Sequence, residues 1–114
     1  MIEKTVLDYL TDKLHVPAVM EVPEPPAPKR YVVVMKTGSS KVNLISTAMI
    51  AVQSCAESLY EAALLNETVK DILPGIVALP SVGACRLDTD YDFTDPESKT
   101  YRYQAVFRIT FMEG

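Results

Sequence analysis

Three aspartates, Asp88, Asp90 and Asp92, stand at alternate positions in "RLDTDYDFTDPESKTYRYQAVFRITFM", which begins at Arg86. Acids so spaced could hold a metal ion or take part in acid–base chemistry. The opening D-x-D-x-D is that of a calcium loop, which also requires glycine at its sixth position and a bidentate glutamate at its twelfth. Phe93 and Lys99 occupy those positions, so the pattern fails where the geometry is most demanding. On an extended strand, successive same-face residues lie about 6.5–7 Å apart, too wide for one ion without further ligands. The aspartates therefore read as the wet face of a strand. A turn centred on Asp95–Glu97 would put Asp90 opposite Arg102 and Asp92 opposite Thr100, and opposite charges facing each other support a strand pair.

Other chemistry is thin. His15 is the single histidine, so a nucleophilic Cys55 has one imidazole available as its base. "KTGSSK" lacks the flanking glycine of a phosphate-binding loop, and neither a nucleophile elbow nor a dinucleotide fingerprint is present. Tyr101, Tyr103 and Phe107 could stack on bases, but the same alternation continues into Ile109 and Phe111, as expected of core. No catalytic residue, metal ligand or cofactor is expected.

The elements that carry these residues follow from periodicity. Residues 2–15 predict a helix with Val6, Leu10 and Leu14 on one side and Pro17 as its stop. "VMEV" (19–22) reads as a short strand, and "PEPPAPKR", with four prolines in eight residues, as a stiff extended connector. "YVVVMKT" (31–37) and "LISTAMIAVQSC" (44–55) predict strands paired antiparallel through a polar loop, "GSSKVN". Residues 56–73 predict the strongest helix, with a buried stripe of Cys55, Leu59, Ala62, Val69 and Leu73 interrupted by Asn66, and with Glu57, Glu61 and Lys70 exposed. After an irregular "IVALPSVGA", a long hairpin closes the chain. Leu87, Thr89, Tyr91 and Phe93 are expected on its buried face, together with Tyr101, Tyr103, Ala105, Phe107, Ile109 and Phe111.

The 114 residues predict one domain, 1–114, of α+β class. It is expected to be an antiparallel or mixed β-sheet with an N-terminal helix, one central amphipathic helix packed on it and a C-terminal β-hairpin. A net charge of −4 disfavours a broad nucleic-acid footprint. The acid-bearing, amphipathic N-terminus is unlike a signal peptide, and no apolar run reaches the roughly 18 residues of a membrane span. Cys55 and Cys85 read as reduced, inert core residues.

Three stretches taken together resemble a known family: "YVVVMKTGSSKVN", "AMIAVQSCAESLYEAALLNETVKDIL" and "CRLDTDYDFTDPESKTYRYQAVFRITF". Their order, from about residue 3 to residue 111, is similar to that of the tail-completion, or tail-terminator, proteins of tailed bacteriophages and prophages of Gram-positive bacteria. The resemblance implies a ring, commonly a hexamer, that caps the tail tube and presents a surface to the head connector. It implies no catalytic residue, cofactor, membrane or specific nucleic acid. The protein would lie in the bacterial host cytoplasm during assembly and at the head-proximal end of the virion tail. A head-to-tail ring needs two different complementary patches per subunit. The basic set Lys29, Arg30 and Lys36 and the acidic set Asp88, Asp90 and Asp92 are the candidates. The tips "TGSSKVN", with Ser39, Ser40 and Lys41, and "PEPPAPKR" are expected to make contacts. The alternative is a small cytosolic ligand-binding or regulatory domain whose aromatic sheet face lines a pocket.

Overall fold

Alternating apolar runs close into one five-stranded sheet in the computed structural model, which describes residues 1–98 and 100–112. The order along the chain is α1 (Ile2–Leu14), β1 (Ala18–Val19), β2 (Tyr31–Val42), β3 (Ile45–Ala56), α2 (Leu59–Ile72), a 3₁₀ turn (Leu73–Ala78), β4 (Val82–Asp92) and β5 (Tyr101–Met112). Across the sheet the order is β1-β2-β3-β5-β4. β1 runs parallel to β2 and the other neighbours are antiparallel, so the fold is α+β with a mixed sheet.

Both helices pack on one face. α1 contributes Ile2, Val6, Leu10 and Leu14, spaced by fours as the side-chain stacking of a helix requires. His15 ends it in the left-handed conformation, φ 61°, which histidine adopts more readily than most residues. α2 contributes Leu65 and Val69, and the following turn adds Leu73 and Ile76. They meet Val32, Val34, Ile50, Val52, Phe107 and Ile109 from the three central strands. A second, smaller cluster of Tyr31, Val33 and Cys55 lies apart from this one, and neither helix joins it.

The structure corrects several expectations. "GSSKVN" is not a loop: β2 continues through it to Val42, and the turn shrinks to Asn43 and Leu44. Pairing to β3 carries these polar residues into strand despite their weak propensity. The central helix begins at Leu59, not at 56, because Ser58 caps it by accepting from the Glu61 N–H at 3.1 Å. Leu59 is consequently exposed, Leu65 and Asn66 complete the buried stripe, and Cys55 belongs to β3. The early strand is Ala18–Val19, shorter than 19–22.

The largest correction concerns β4. A bulge between Leu87 and Thr89 inserts one residue, Asp88, and reverses which side chains face the helices. Before it, Leu87 opposes Phe107; after it, Asp90 opposes Ala105. Thr89, Tyr91 and Phe93 are therefore exposed rather than buried, and Leu87, which precedes the bulge, is 41% exposed although it opposes Phe107. The pairs Asp90–Arg102 and Asp92–Thr100 do not form: Asp92 opposes Tyr103, and Thr100 bridges Asp95. Lys99, expected at the twelfth position of the failed calcium pattern, lies outside the described residues.

Candidate functional site

The bulge separates the three aspartates. Asp88 is exposed on the bulge itself. Asp90 turns towards α2, where it accepts hydrogen bonds from the Asn66 amide and the Lys70 ammonium, both at 2.9 Å. Lys70, expected to be exposed, is thereby half-buried, and its hydrogen bonds to Glu67 and then Asp90 raise its pKa. Asp92 accepts from the Thr94 N–H at 2.9 Å, and the bonds from Thr94 hold its carboxyl below the usual range. Among the described residues, no group of three His, Cys, Asp or Glu is placed to hold a metal ion.

The basic candidates divide likewise. Lys36, Ser39, Ser40 and Lys41 line one hollow of about 350 Å³ with Ser46 and Phe111. Lys36 also reaches Glu3 of α1 at 3.8 Å, a charge contact without a hydrogen bond. Lys29 and Arg30 are exposed at the end of the proline connector and do not line that hollow. The acidic set is thus dispersed, whereas four of the six basic and hydroxyl residues come together on the β2–β3 hairpin.

The sequence reading missed the tip of that hairpin. Val42, Leu44 and Ile45 are 68%, 71% and 48% exposed, and Met112, paired with Ile45, is 59% exposed. Asn43 and Leu44 both have positive φ, 50° and 70°. This is the signature of a type I′ turn, whose usual residues are Asn and Gly. Asparagine at 43 was the available signal; leucine in the glycine position obscured it. Beside the tip, Ile45, Met112 and the Pro80–Gly83 segment line a hollow of about 170 Å³.

The face of the sheet without helices carries a polar chain. Gln53 donates to Gln104 at 2.9 Å, and Gln104 donates to the Tyr91 hydroxyl at 2.6 Å. Gln53 and Gln104 are nevertheless nearly inaccessible, so bonding to each other satisfies groups that would be costly to leave unpaired. Arg102 lies 5.0 Å from the Phe93 ring and donates to the Phe93 carbonyl at 2.8 Å. Both cysteines are free. Burial raises the pKa of Cys55 and pushes that of Cys85 up to about 11, opposite to what a thiolate nucleophile needs.

No helix among the described residues is long and apolar enough to cross a membrane. No protein-family model and no curated protein matches the sequence.

Proposed function

We propose that this chain is a structural protein of a tailed phage or prophage that assembles as a ring, caps the tail tube and joins it to the head connector. Its partners would be further copies of itself, the tube protein and the connector, and its place the host cytoplasm and then the head-proximal end of the tail. The family resemblance supplies the identity of the assembly. The observation that supports an assembly role is Leu44. It stands 71% exposed at the hairpin tip with φ 70°. A left-handed conformation costs a residue other than glycine about 1–2 kcal/mol. Neither burial nor backbone preference accounts for leucine there in the isolated subunit; a contact in an assembly would. Val42, Ile45 and Met112 extend the same apolar end, and the adjoining hydroxyl and lysine residues would form a polar rim like those of protein interfaces.

The test is deletion of the gene from a phage or prophage that carries it, followed by electron microscopy of the lysate. Filled heads without joined tails, and tails of abnormal length, are expected. Normal virions from the deletion strain end this reading. Replacing Ser39, Ser40 and Lys41 by bulky acidic residues is expected to reproduce part of the defect while the subunit still folds.

A further inference from the structure

Arg86 of β4 and Arg108 of β5 stand directly opposite each other in the sheet register. Residues so paired have Cα atoms about 4.5–5.5 Å apart, and like charges in that relation destabilise the strand pair. Arginine keeps its charge over the whole working pH range, so loss of a proton cannot relieve the repulsion. Both residues are exposed, and neither guanidinium lies within 4 Å of a carboxylate among the described residues. Together with Leu87 and Asp88 they line a hollow of about 240 Å³. The hollow adjoins the bulge, a feature that commonly re-aims side chains beside binding sites. Asp88 sets one negative charge against two positive ones.

We infer that this hollow is an oxyanion site that takes a phosphate group. Two guanidinium forks bind phosphate oxygens with paired, charge-assisted hydrogen bonds. An anion between them converts the repulsion across the strands into attraction to a common ligand. Free phosphate with up to two negative charges, or two successive singly charged diesters of a strand, matches two arginines better than a single carboxylate does. Free inorganic phosphate and the backbone of a nucleic-acid strand share this chemistry. The inference does not depend on the assembly reading.

The test uses the whole chain. Thermal unfolding is followed as sodium phosphate replaces sodium chloride at constant ionic strength, and binding of a labelled single-stranded oligothymidylate is followed by fluorescence anisotropy. Excluded-solute stabilisation by phosphate is shared by wild type and variants, so the difference between them is the readout. Wild type is expected to gain a saturable rise in melting temperature. Arg108→Gln is expected to melt no lower than wild type in chloride, because the repulsion is gone, and to need about tenfold or more phosphate for half the effect. Arg86→Gln is expected to behave alike. Asp88→Asn, which removes the opposing charge, is expected to need less phosphate than wild type. Saturation by inorganic phosphate without oligonucleotide binding identifies free phosphate as the ligand. Oligonucleotide binding that both arginine variants weaken identifies a nucleic-acid backbone. A phosphate response equal in wild type and both arginine variants, with no oligonucleotide binding that they weaken, overturns the inference.

Discussion

The β2–β3 ribbon is one pair of strands in one continuous ladder, yet its two ends obey different rules. At the proximal end, Val32, Val33 and Val34 are at most 1% exposed and pair with Ser54, Gln53 and Val52, all buried. At the distal end, every residue of β2 from Lys36 to Val42 is exposed. Twelve residues per strand at about 3.3 Å each give about 40 Å, close to the 44 Å long axis of the molecule. The strands thus run much of the molecule's length, while the deeply buried part of β2 is confined to its first third. Backbone pairing alone can hold a strand; burial on the helices is what makes it part of the core. The distal end of β2 consequently has freedom of sequence that its proximal end lacks, although Ser46 and Ala48 of β3 beside it stay buried, and the tip holds exposed apolar residues where polar ones would fold as well.

Substitutions should separate the ends sharply. Phe107 is 0% exposed and opposes Ile50 on one side and Leu87 on the other. Phe107→Ala is expected to destabilise the fold by about 3–5 kcal/mol, the range for truncating a buried aromatic. Ser40→Ala on the distal hairpin is expected to stay within about 0.5 kcal/mol of wild type. Urea melts of both variants check the contrast. Equal losses would mean that the distal ribbon is also held by burial.

A smaller effect probes the junction between core and bulge. Asp90→Ala removes the partner of both Asn66 and Lys70. Asn66 is 1% exposed and its Oδ1 has no hydrogen-bond partner among the described residues. Loss of the bond to its amide would therefore leave the whole side chain unsatisfied. With Lys70 still partly in contact with solvent, a loss of about 1–2 kcal/mol is expected. Asp92→Ala, at the exposed end of the same strand, should lose less in the same urea titration. The reverse order would restore the uniform wet face that alternation alone suggests.

That face shows where sequence reading reaches its limit. Helix α1, the long C-terminal strand and the pairing of β2 with β3 were legible, because each rests on a period sustained over many residues. The core face of β5 was legible too, since Ala105, Phe107, Ile109 and Phe111 never break step. The start of α2 was also written in the chain: Ser58 followed three residues later by Glu61 is a capping signal, although the helix was expected from residue 56. The bulge was not legible. A period of two carries no mark of an inserted residue, and one insertion at Asp88 exchanges the faces of everything after it. The candidate site was half legible. Lys36, Ser39, Ser40 and Lys41 do gather, but polarity and glycine suggested a loop where β3 imposes a strand. Apolar residues at a hairpin tip contradict the usual association of turns with polar residues, so Val42, Leu44 and Ile45 drew no notice.

The smallest expected change in stability bears most directly on function. Leu44→Gly places glycine second in a turn whose two central residues both have positive φ. Glycine adopts that conformation without the steric penalty that leucine carries. The side chain lost is 71% exposed, so little burial is given up. Glycine's greater freedom in the unfolded chain offsets part of the gain. The net result should be a subunit as stable as wild type or more stable by up to about 1 kcal/mol, measured by urea melts. If the tip serves only the fold, the variant should also assemble and function normally. If the tip is an assembly contact, the same variant should fold well and fail to cap tails when supplied to a deletion strain. Leu44→Met, which keeps an apolar side chain, should cap them. An improved fold with a lost function would place the reason for leucine outside the subunit. A marked loss of stability in Leu44→Gly would instead mean that the distal end belongs to the core, and the contrast between the two ends of the ribbon would fail.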